Sequence, residues 1–300
     1  MRADPDDQLS WLRLGEAYGK AGRHAAAMKA LERARELMPD DWMSLYFIGD
    51  VQHQVGQYQD AINSFTSVLV HRPSEVGVLM SLAQSHLDLG RVEMSSGFAL
   101  RAEQSFVSCI RTSLKAIDAS PGFRAVAWKF VADATYDLSD CPSSKLEDQN
   151  LSELWSISSM LSVELSDRLS GIVTSSTLKN VSSYDELKIA ALAVAAYDYH
   201  LSLIISGSPS VGAAWYDLGI ALRAWGIKSQ SPEGQLMAKR QAVVCLKHAL
   251  RHDPGNTLYW NALGTLHFEE PKIAQHSYVK ALEIDSKVRA HEPQTVSSPM

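Results

Sequence analysis

The sequence repeats itself at an interval of 34 residues. Gly15 and Gly49 are separated by this interval, and so are Pro39 and Pro73. Between these markers, apolar residues recur at helical spacing in two stretches, which predicts two amphipathic helices per interval. Units of this length stack into arrays in which each one buries its apolar face against its neighbours. The interval therefore predicts an all-helical array and constrains the fold more than any other feature.

The first two repeats share a pattern of large and small side chains. Gly15 and Ala27 have almost no side chain, so we expect them where the two helices of a repeat cross closely. Gly219 and Gly264 are expected at crossings for the same reason, and Gly22 supplies the turn between two helices. The residues that define the repeats structurally are Trp11, Gly15, Ala27, Pro39, Gly49, Ala61, Pro73, Trp215, Gly219, Trp260, Gly264 and Ala274.

Four less regular units follow. The third has Leu79, Ala83 and Gly90 at the repeat spacing, with Gly90 in the place of the turn glycine. Its closing Pro121 falls about fourteen residues late for this period. Lengthened helices are therefore expected across residues 96–115.

A Ser-rich insert divides the fourth unit. It carries Leu154, Ile157, Leu161, Leu165 and Leu169 at the spacing of one amphipathic helix, although a disordered insertion is an open alternative. The predicted organisation is repeats 1–3 and the first helix of repeat 4 in 1–138, and the insert in 139–186. The second helix of repeat 4 and repeats 5 and 6 follow in 187–285, and a disordered tail in 286–300.

Composition limits the classes of function. The 300 residues carry a net charge of −6, which argues against direct binding to a nucleic-acid backbone, since that affinity depends on clustered cations. No apolar run is long enough for a membrane span, so we expect no membrane contact. The three cysteines have no metal-ligand or paired spacing. They suit a reducing compartment, and we expect the cytoplasm or the nucleus.

Signals for catalysis are weak. His248 and His252 could hold a metal on one helix face, but no third ligand follows at a familiar spacing. The pair Glu269 and Glu270 precedes Pro271 and is explained by a solvated turn. We therefore expect no catalytic, cofactor-binding or metal-binding residue.

The 34-residue pattern resembles the tetratricopeptide repeat (TPR) superfamily. The resemblance implies an all-α fold, a TPR α-solenoid of about six helix-turn-helix repeats with inserts. Chaperone adaptors of this superfamily clamp a carboxylate with Lys, Asn and Arg; here those places hold Leu12, Glu16, Phe47, Gly77 and Ser81. The sequence therefore argues against a chaperone adaptor. The asparagine ladder of TPR glycosyltransferases is absent as well.

A narrower resemblance lies in the C-terminal half. The run from Tyr259 to Gly264, followed by Ala274, Gln275 and His276, is similar to the large TPR scaffold subunit of superkiller (Ski) complexes. Further similar stretches precede it in the same order, beginning near Leu79. This chain is much shorter than that subunit and looks like an interior fragment or a partial gene product.

The resemblance implies a non-catalytic scaffold. In superkiller complexes, this subunit joins an RNA helicase to WD-repeat subunits, and the assembly supports 3′-to-5′ decay of cytoplasmic mRNA by the exosome. The alternative is a generic TPR adaptor that binds a peptide segment and has no role in RNA decay. In either case we expect protein partners in a groove of first helices, with Leu12, Tyr46, Phe47, Met80 and Trp225 as candidate contacts.

Overall fold

The computed structural model describes residues 6–141, 148–179, 186–205 and 207–291, and all regular structure in these ranges is helical. The chain forms two compact units, called here the N-terminal unit (residues 1–157) and the C-terminal unit (residues 158–300). The helices of the N-terminal unit are α1 (Gln8–Lys20), α2 (His24–Leu37), α3 (Trp42–Gln54), α4 (Tyr58–His71), α5 (Val76–Ser95), α6 (Ala99–Ala119) and α7 (Arg124–Ser139). The boundary between the units falls within α8 (Asp148–Leu161). The helices of the C-terminal unit are α9 (Ser175–Lys179), α10 (Glu186–Leu203), α11 (Val211–Lys228), α12 (Pro232–His252), α13 (Thr257–Leu266) and α14 (Pro271–His291).

Short polar side chains start several of these helices. Asp7, Asp41 and Asn256 each accept a hydrogen bond from a backbone N–H in the first turn of α1, α3 and α13. Such caps satisfy backbone donors that have no partner within the helix. Gly22 and Gly56 then turn the chain after α1 and α3 with φ of 71° and 80°, a conformation that disfavours other residues. Equivalent residues 34 positions apart therefore mark both ends of α1 and α3.

Several helix pairs have a glycine where the two helices cross. A Cβ atom added to Gly15 would lie 2.5 Å from Leu31, and one added to Gly49 would lie 2.7 Å from the ring of Phe65. The predicted crossings at Gly219 and Gly264 are confirmed. There the added atom would lie 3.3 Å from Leu246 and 2.8 Å from Tyr278, respectively.

The third helix pair is longer than the first two by two turns in each helix. Helix α5 has 20 residues where α3 has 13, and α6 has 21 where α4 has 14. Seven residues make nearly two turns, so the longer helices keep the same faces toward each other. The predicted lengthening is confirmed, but it does not include Ser96, which lies in the turn.

Gly90 was predicted to be the turn glycine, and this prediction is wrong because the helices of this pair are two turns longer. A Cβ atom on Gly90 would lie 2.6 Å from the ring of Phe106, so Gly90 is the crossing glycine of this pair. The turn glycine is Gly97, with φ of 83°. A shift by seven residues returns to nearly the same helix face, so the repeat pattern fits two alignments of α5. One of them places Ala83, rather than Gly90, at the crossing.

The region of the insert contains α8, a 3-10 turn (Asp167–Leu169) and α9. Leu154, Ile157 and Leu161 are buried along α8, and Leu169 is buried in the 3-10 turn. The single amphipathic helix predicted to reach Leu169 therefore ends at Leu161. Residues 142–147 and 180–185 of the predicted insert lie outside the described residues.

Helix α10 is the most buried element of the C-terminal unit. Every residue from Ile189 to Leu201 is buried, including the carboxylate of Asp198. Arg168 Nε lies 2.6 Å from Asp198 Oδ1, and Arg168 Nη2 donates to the Asp198 carbonyl at 3.3 Å. The guanidinium also lies 5.8 Å from the centre of the Trp215 ring. Arg168, in the 3-10 turn, thus contacts both α10 and α11.

The last helix, α14, runs to His291, six residues past the predicted boundary at residue 285. Residues 292–300 of the predicted tail lie outside the described residues. Among the helices described, none is both long and apolar enough to cross a lipid bilayer.

Candidate protein-binding groove

The first helices of the N-terminal unit lie side by side. Helix α1 packs against α3, α3 against α5, and α5 against α7. A cleft of about 330 Å³ runs across α3, α5 and α7, and we call it the first-helix groove. Its lining residues are Asp50, His53, Phe65, Gly77, Met80, Ser81, Gln84, Phe123, Val126 and Phe130.

The first two turns of α5 form part of this groove. Gly77, Met80 and Ser81 lie there, and the Ser81 hydroxyl is 3.5 Å from the Tyr46 hydroxyl of α3. On the opposite wall, Phe123 and Val126 expose 47% and 52% of their surface. Apolar side chains exposed together in a concave site are typical of a surface that binds another molecule.

The charged side chains next to the groove form a network. His53 Nε2 lies 3.0 Å from Asp88 Oδ2, and Gln84 donates to the same carboxylate at 2.8 Å. Arg91 lies 2.7 Å from Asp137, 3.8 Å from Asp88 and 3.9 Å from Asp133. Lys129 also pairs with Asp133. One arginine is therefore shared among three carboxylates.

Burial and pairing shift the pKa values of these carboxyl groups in opposite directions. Burial raises the pKa of Asp137, and Arg91 offsets this only in part. Burial also acts to raise the pKa of Asp88, but the hydrogen bonds from His53 and Gln84 outweigh it and lower the value. Burial raises the pKa of Asp50 as well, with partial compensation from His53. Asp50 in the groove, and Asp88 and Asp137 next to it, are therefore partly shielded from solvent.

The five candidate contacts lie in different environments. Met80 lines the first-helix groove. The Tyr46 hydroxyl lies 3.5 Å from the hydroxyl of Ser81, another residue of the groove. Phe47 packs against the core cluster that contains Leu12, whose exposure is only 2%. Trp225 is 7% exposed and belongs to the C-terminal unit. Leu12 and Trp225 therefore pack inside their units and offer almost no surface to a partner.

Sequence reasoning missed the groove residues of α7. Trp128, Val131 and Ala132 form the buried face of this helix. Val126 and Phe130 do not belong to that face, and apolar residues outside the core face of an amphipathic helix are a signal that could have revealed them. Asp50 gave no such signal, because a single aspartate on a helix is ordinary.

The residues considered for chemistry have structural partners. His248 stacks on Trp215 with ring centres 4.5 Å apart, and burial lowers its pKa. Glu269 pairs with Lys239 at 2.7 Å, and Glu270 lies 3.1 Å from His267. Within the described ranges, no three His, Cys, Asp or Glu side chains are grouped so that they could hold a metal ion.

Comparisons with known proteins agree with this architecture. Tetratricopeptide repeat family models match residues 9–41 and 48–103. Superkiller protein 3 of Schizosaccharomyces pombe is 28% identical over 289 residues, which cover 92% of this chain and 20% of that protein. Superkiller complex protein 3 of Homo sapiens is 28% identical over 276 residues, which cover 89% of this chain and 16% of that protein.

A solved TPR protein of Thermus thermophilus, TTC0263, is 16% identical, with a TM-score of 0.45 and coverage of 92% of this chain and 99% of that one. The chain spans no more than about one fifth of the length of these curated relatives. The helix pairs, their glycine crossings and the family models agree on the architecture. The chain contains tetratricopeptide repeats, and it is similar across most of its length to a stretch of superkiller protein 3.

Proposed function

We propose that the chain is a non-catalytic scaffold, the TPR part of a superkiller-type complex that couples an RNA helicase to exosome-mediated 3′-to-5′ mRNA decay. The observation that carries the proposal is the similarity to superkiller protein 3 over 92% of this chain. The first-helix groove supports it, because partners of repeat arrays use such extended surfaces. The proposed partners are the helicase and the WD-repeat subunits, in the cytoplasm or the nucleus.

The role in RNA decay is proposed to be indirect. Several carboxylates lie in the groove or next to it, and such a surface repels the phosphates of RNA. We therefore expect the purified chain neither to hydrolyse ATP nor to bind single-stranded RNA at physiological salt. Tight binding of RNA would contradict the scaffold role.

Affinity purification followed by mass spectrometry tests the proposal. The tagged chain should recover helicase or WD-repeat subunits of a superkiller-type complex from lysate. Val126→Glu places a charge on the exposed apolar wall of the groove and should weaken this recovery. Val70→Glu is the matched control, because Val70 is 72% exposed on α4 and lies outside the groove.

The alternative is a generic adaptor that binds a peptide segment in the same groove and is unrelated to RNA decay. Recovery dominated by other proteins, and weakened by Val126→Glu but not by Val70→Glu, would favour this alternative. Equal recovery of the superkiller-type subunits by both variants would leave the scaffold standing but move its contacts to another surface.

A further inference from the structure

We infer that the first-helix groove takes an apolar segment of a protein partner that carries a lysine or arginine, and that Asp50 receives this cation. The inference rests on the proposed function and names the chemistry of the partner at the same site. Its apolar component follows from Met80, Phe123 and Val126, which line the groove together. Covering their exposed surface removes apolar area from water, which favours association.

Asp50 is the groove carboxylate that lacks a cation. It lines the cleft, is half-buried, and accepts a hydrogen bond from Gln54 at 2.8 Å. Within the described part of the chain it has no ion pair. The two basic side chains that affect it electrostatically are Lys20 and His53. Lys20 lies 2.7 Å from Glu16, and His53 lies 3.0 Å from Asp88, so both are engaged by other carboxylates.

The charges around the groove determine which sign of charge on a partner segment is attracted. Asp50, Asp88, Asp133 and Asp137 lie near three permanent cations, Arg91, Lys129 and Lys20, and Lys20 is paired with Glu16. These carboxylates are partly shielded from solvent, so a charge brought into the groove interacts with them more strongly than it would in water. A cationic segment is attracted and an anionic segment or a phosphate backbone is repelled.

Burial makes the interaction at Asp50 specific. A half-buried carboxylate without a cation has lost part of its hydration and has gained only an amide hydrogen bond in return. A lysine or arginine from the partner restores what burial removed, through a charge-assisted hydrogen bond. Asp50 would then select for a lysine or arginine of the partner, while the apolar wall accepts different apolar side chains.

Synthetic peptides test this inference on the full chain. The probes are three short peptides with the same Leu and Phe residues, and with Lys, Gln or Glu at one position between them. Fluorescence anisotropy measures their affinity for the parent protein and for Asp50→Asn, which keeps the shape and removes the charge. Asp60→Asn is the matched control, because Asp60 is exposed in the first turn of α4, outside the groove. Thermal melts verify that both variants are folded.

We expect the parent protein to bind the Lys peptide about tenfold more tightly than the Gln peptide, as one charge-assisted hydrogen bond would give. Asp50→Asn should remove most of this preference and Asp60→Asn should keep it. The Glu peptide should bind least well. A preference for Lys that survives Asp50→Asn, or equal affinity for all three peptides, would overturn the inference.

The outcome is distinguishable from a failure of the proposed function. If the chain recovers superkiller-type subunits and Asp50→Asn recovers them equally well, the scaffold stands and the inference about Asp50 is wrong. If unrelated proteins are recovered but the peptides show the predicted preference, the inference stands and the role in RNA decay is wrong.

Discussion

The α3–α4 pair and the α11–α12 pair have a glycine at the same structural position but pack differently around it. At Gly49 an added Cβ atom would lie 2.7 Å from the Phe65 ring, whereas at Gly219 it would lie 3.3 Å from Leu246. The N-terminal unit repeats the tight version at Gly15, Gly49 and Gly90. The C-terminal unit has one tight crossing, at Gly264, and one looser crossing, at Gly219, and it also buries the carboxylate that pairs with Arg168, on Asp198 of α10. The N-terminal unit therefore repeats one tight crossing, whereas the C-terminal unit combines crossings of different tightness with a buried charged contact.

The largest expected effect is on that contact. Asp198→Ala leaves the guanidinium of Arg168 without its buried carboxylate. Loss of one member of a fully buried pair costs about 3–5 kcal/mol, and because the Arg168 side chain is 32% exposed, we expect a loss near the lower end of this range. Denaturant unfolding should show this loss, and hydrogen exchange should rise first in α10 and α11. Asp60→Ala, an exposed aspartate on α4, is the control. A loss no greater than that of the control would remove the claimed difference between the units.

The next effect depends on pH and concerns the N-terminal unit. Burial lowers the pKa of His86 from 6.5 to about 4, with a smaller contribution from Arg111. A histidine whose folded pKa is depressed stabilises the fold above the unfolded pKa, and this stability is lost as pH falls from 6.5 to 4. The loss corresponds to about 3 kcal/mol in total.

Unfolding free energies measured across this pH range check the prediction. His86→Gln should flatten the dependence, since glutamine does not titrate. Asp50 and Asp137 have raised pKa values, so their protonation acts in the opposite direction and should remain visible in this variant. An unchanged slope in His86→Gln would show that other groups cause the acid sensitivity.

A smaller effect is expected at the tight crossings. Gly49→Ala forces a methyl group into the ring of Phe65, and such overpacking costs about 1–3 kcal/mol against a gain of up to about 1 kcal/mol in helix propensity. The net result should be a lower free energy of unfolding. Gly77→Ala is the control, because a Cβ atom there would meet nothing within 4 Å and should stabilise α5. Equal stabilisation by both substitutions would contradict the steric role of Gly49.

The smallest effect is expected at the looser crossing. A methyl group on Gly219 requires a shift of only a few tenths of an ångström by Leu246, and the gain in helix propensity offsets this cost. Gly219→Ala should therefore change the free energy of unfolding by less than about 0.5 kcal/mol. A loss as large as that of Gly49→Ala would make the two crossings equivalent.

The sequence predicts the crossings better than it predicts the groove. Small residues at fixed spacing indicate a close approach of two backbones, so the crossings at Gly15, Gly219 and Gly264 were predicted correctly. Gly90 was misplaced because two extra turns return the helix to nearly the same face. Heptad insertions of this kind are ambiguous in a single sequence.

The groove depends on features that a repeat pattern does not contain. Met80 was predicted because it lies on a first helix, but the same reasoning selected Leu12, which the neighbouring helices bury. Phe123 and Val126 face the cleft because the chain after α6 starts a new helix beside α5. Asp50 is distinctive only through its burial and the engagement of Lys20 and His53 elsewhere, and these are properties of packing.

Hydrogen–deuterium exchange of the chain with and without a recovered helicase or WD-repeat subunit tests the central claim most directly. The claim is that partner proteins bind the first-helix groove. We predict slower exchange in α5 and α7 when the subunit is bound, and unchanged exchange in α2 and α4. Protection confined to α2 and α4 or to the C-terminal unit, or no protection at all, would contradict the claim.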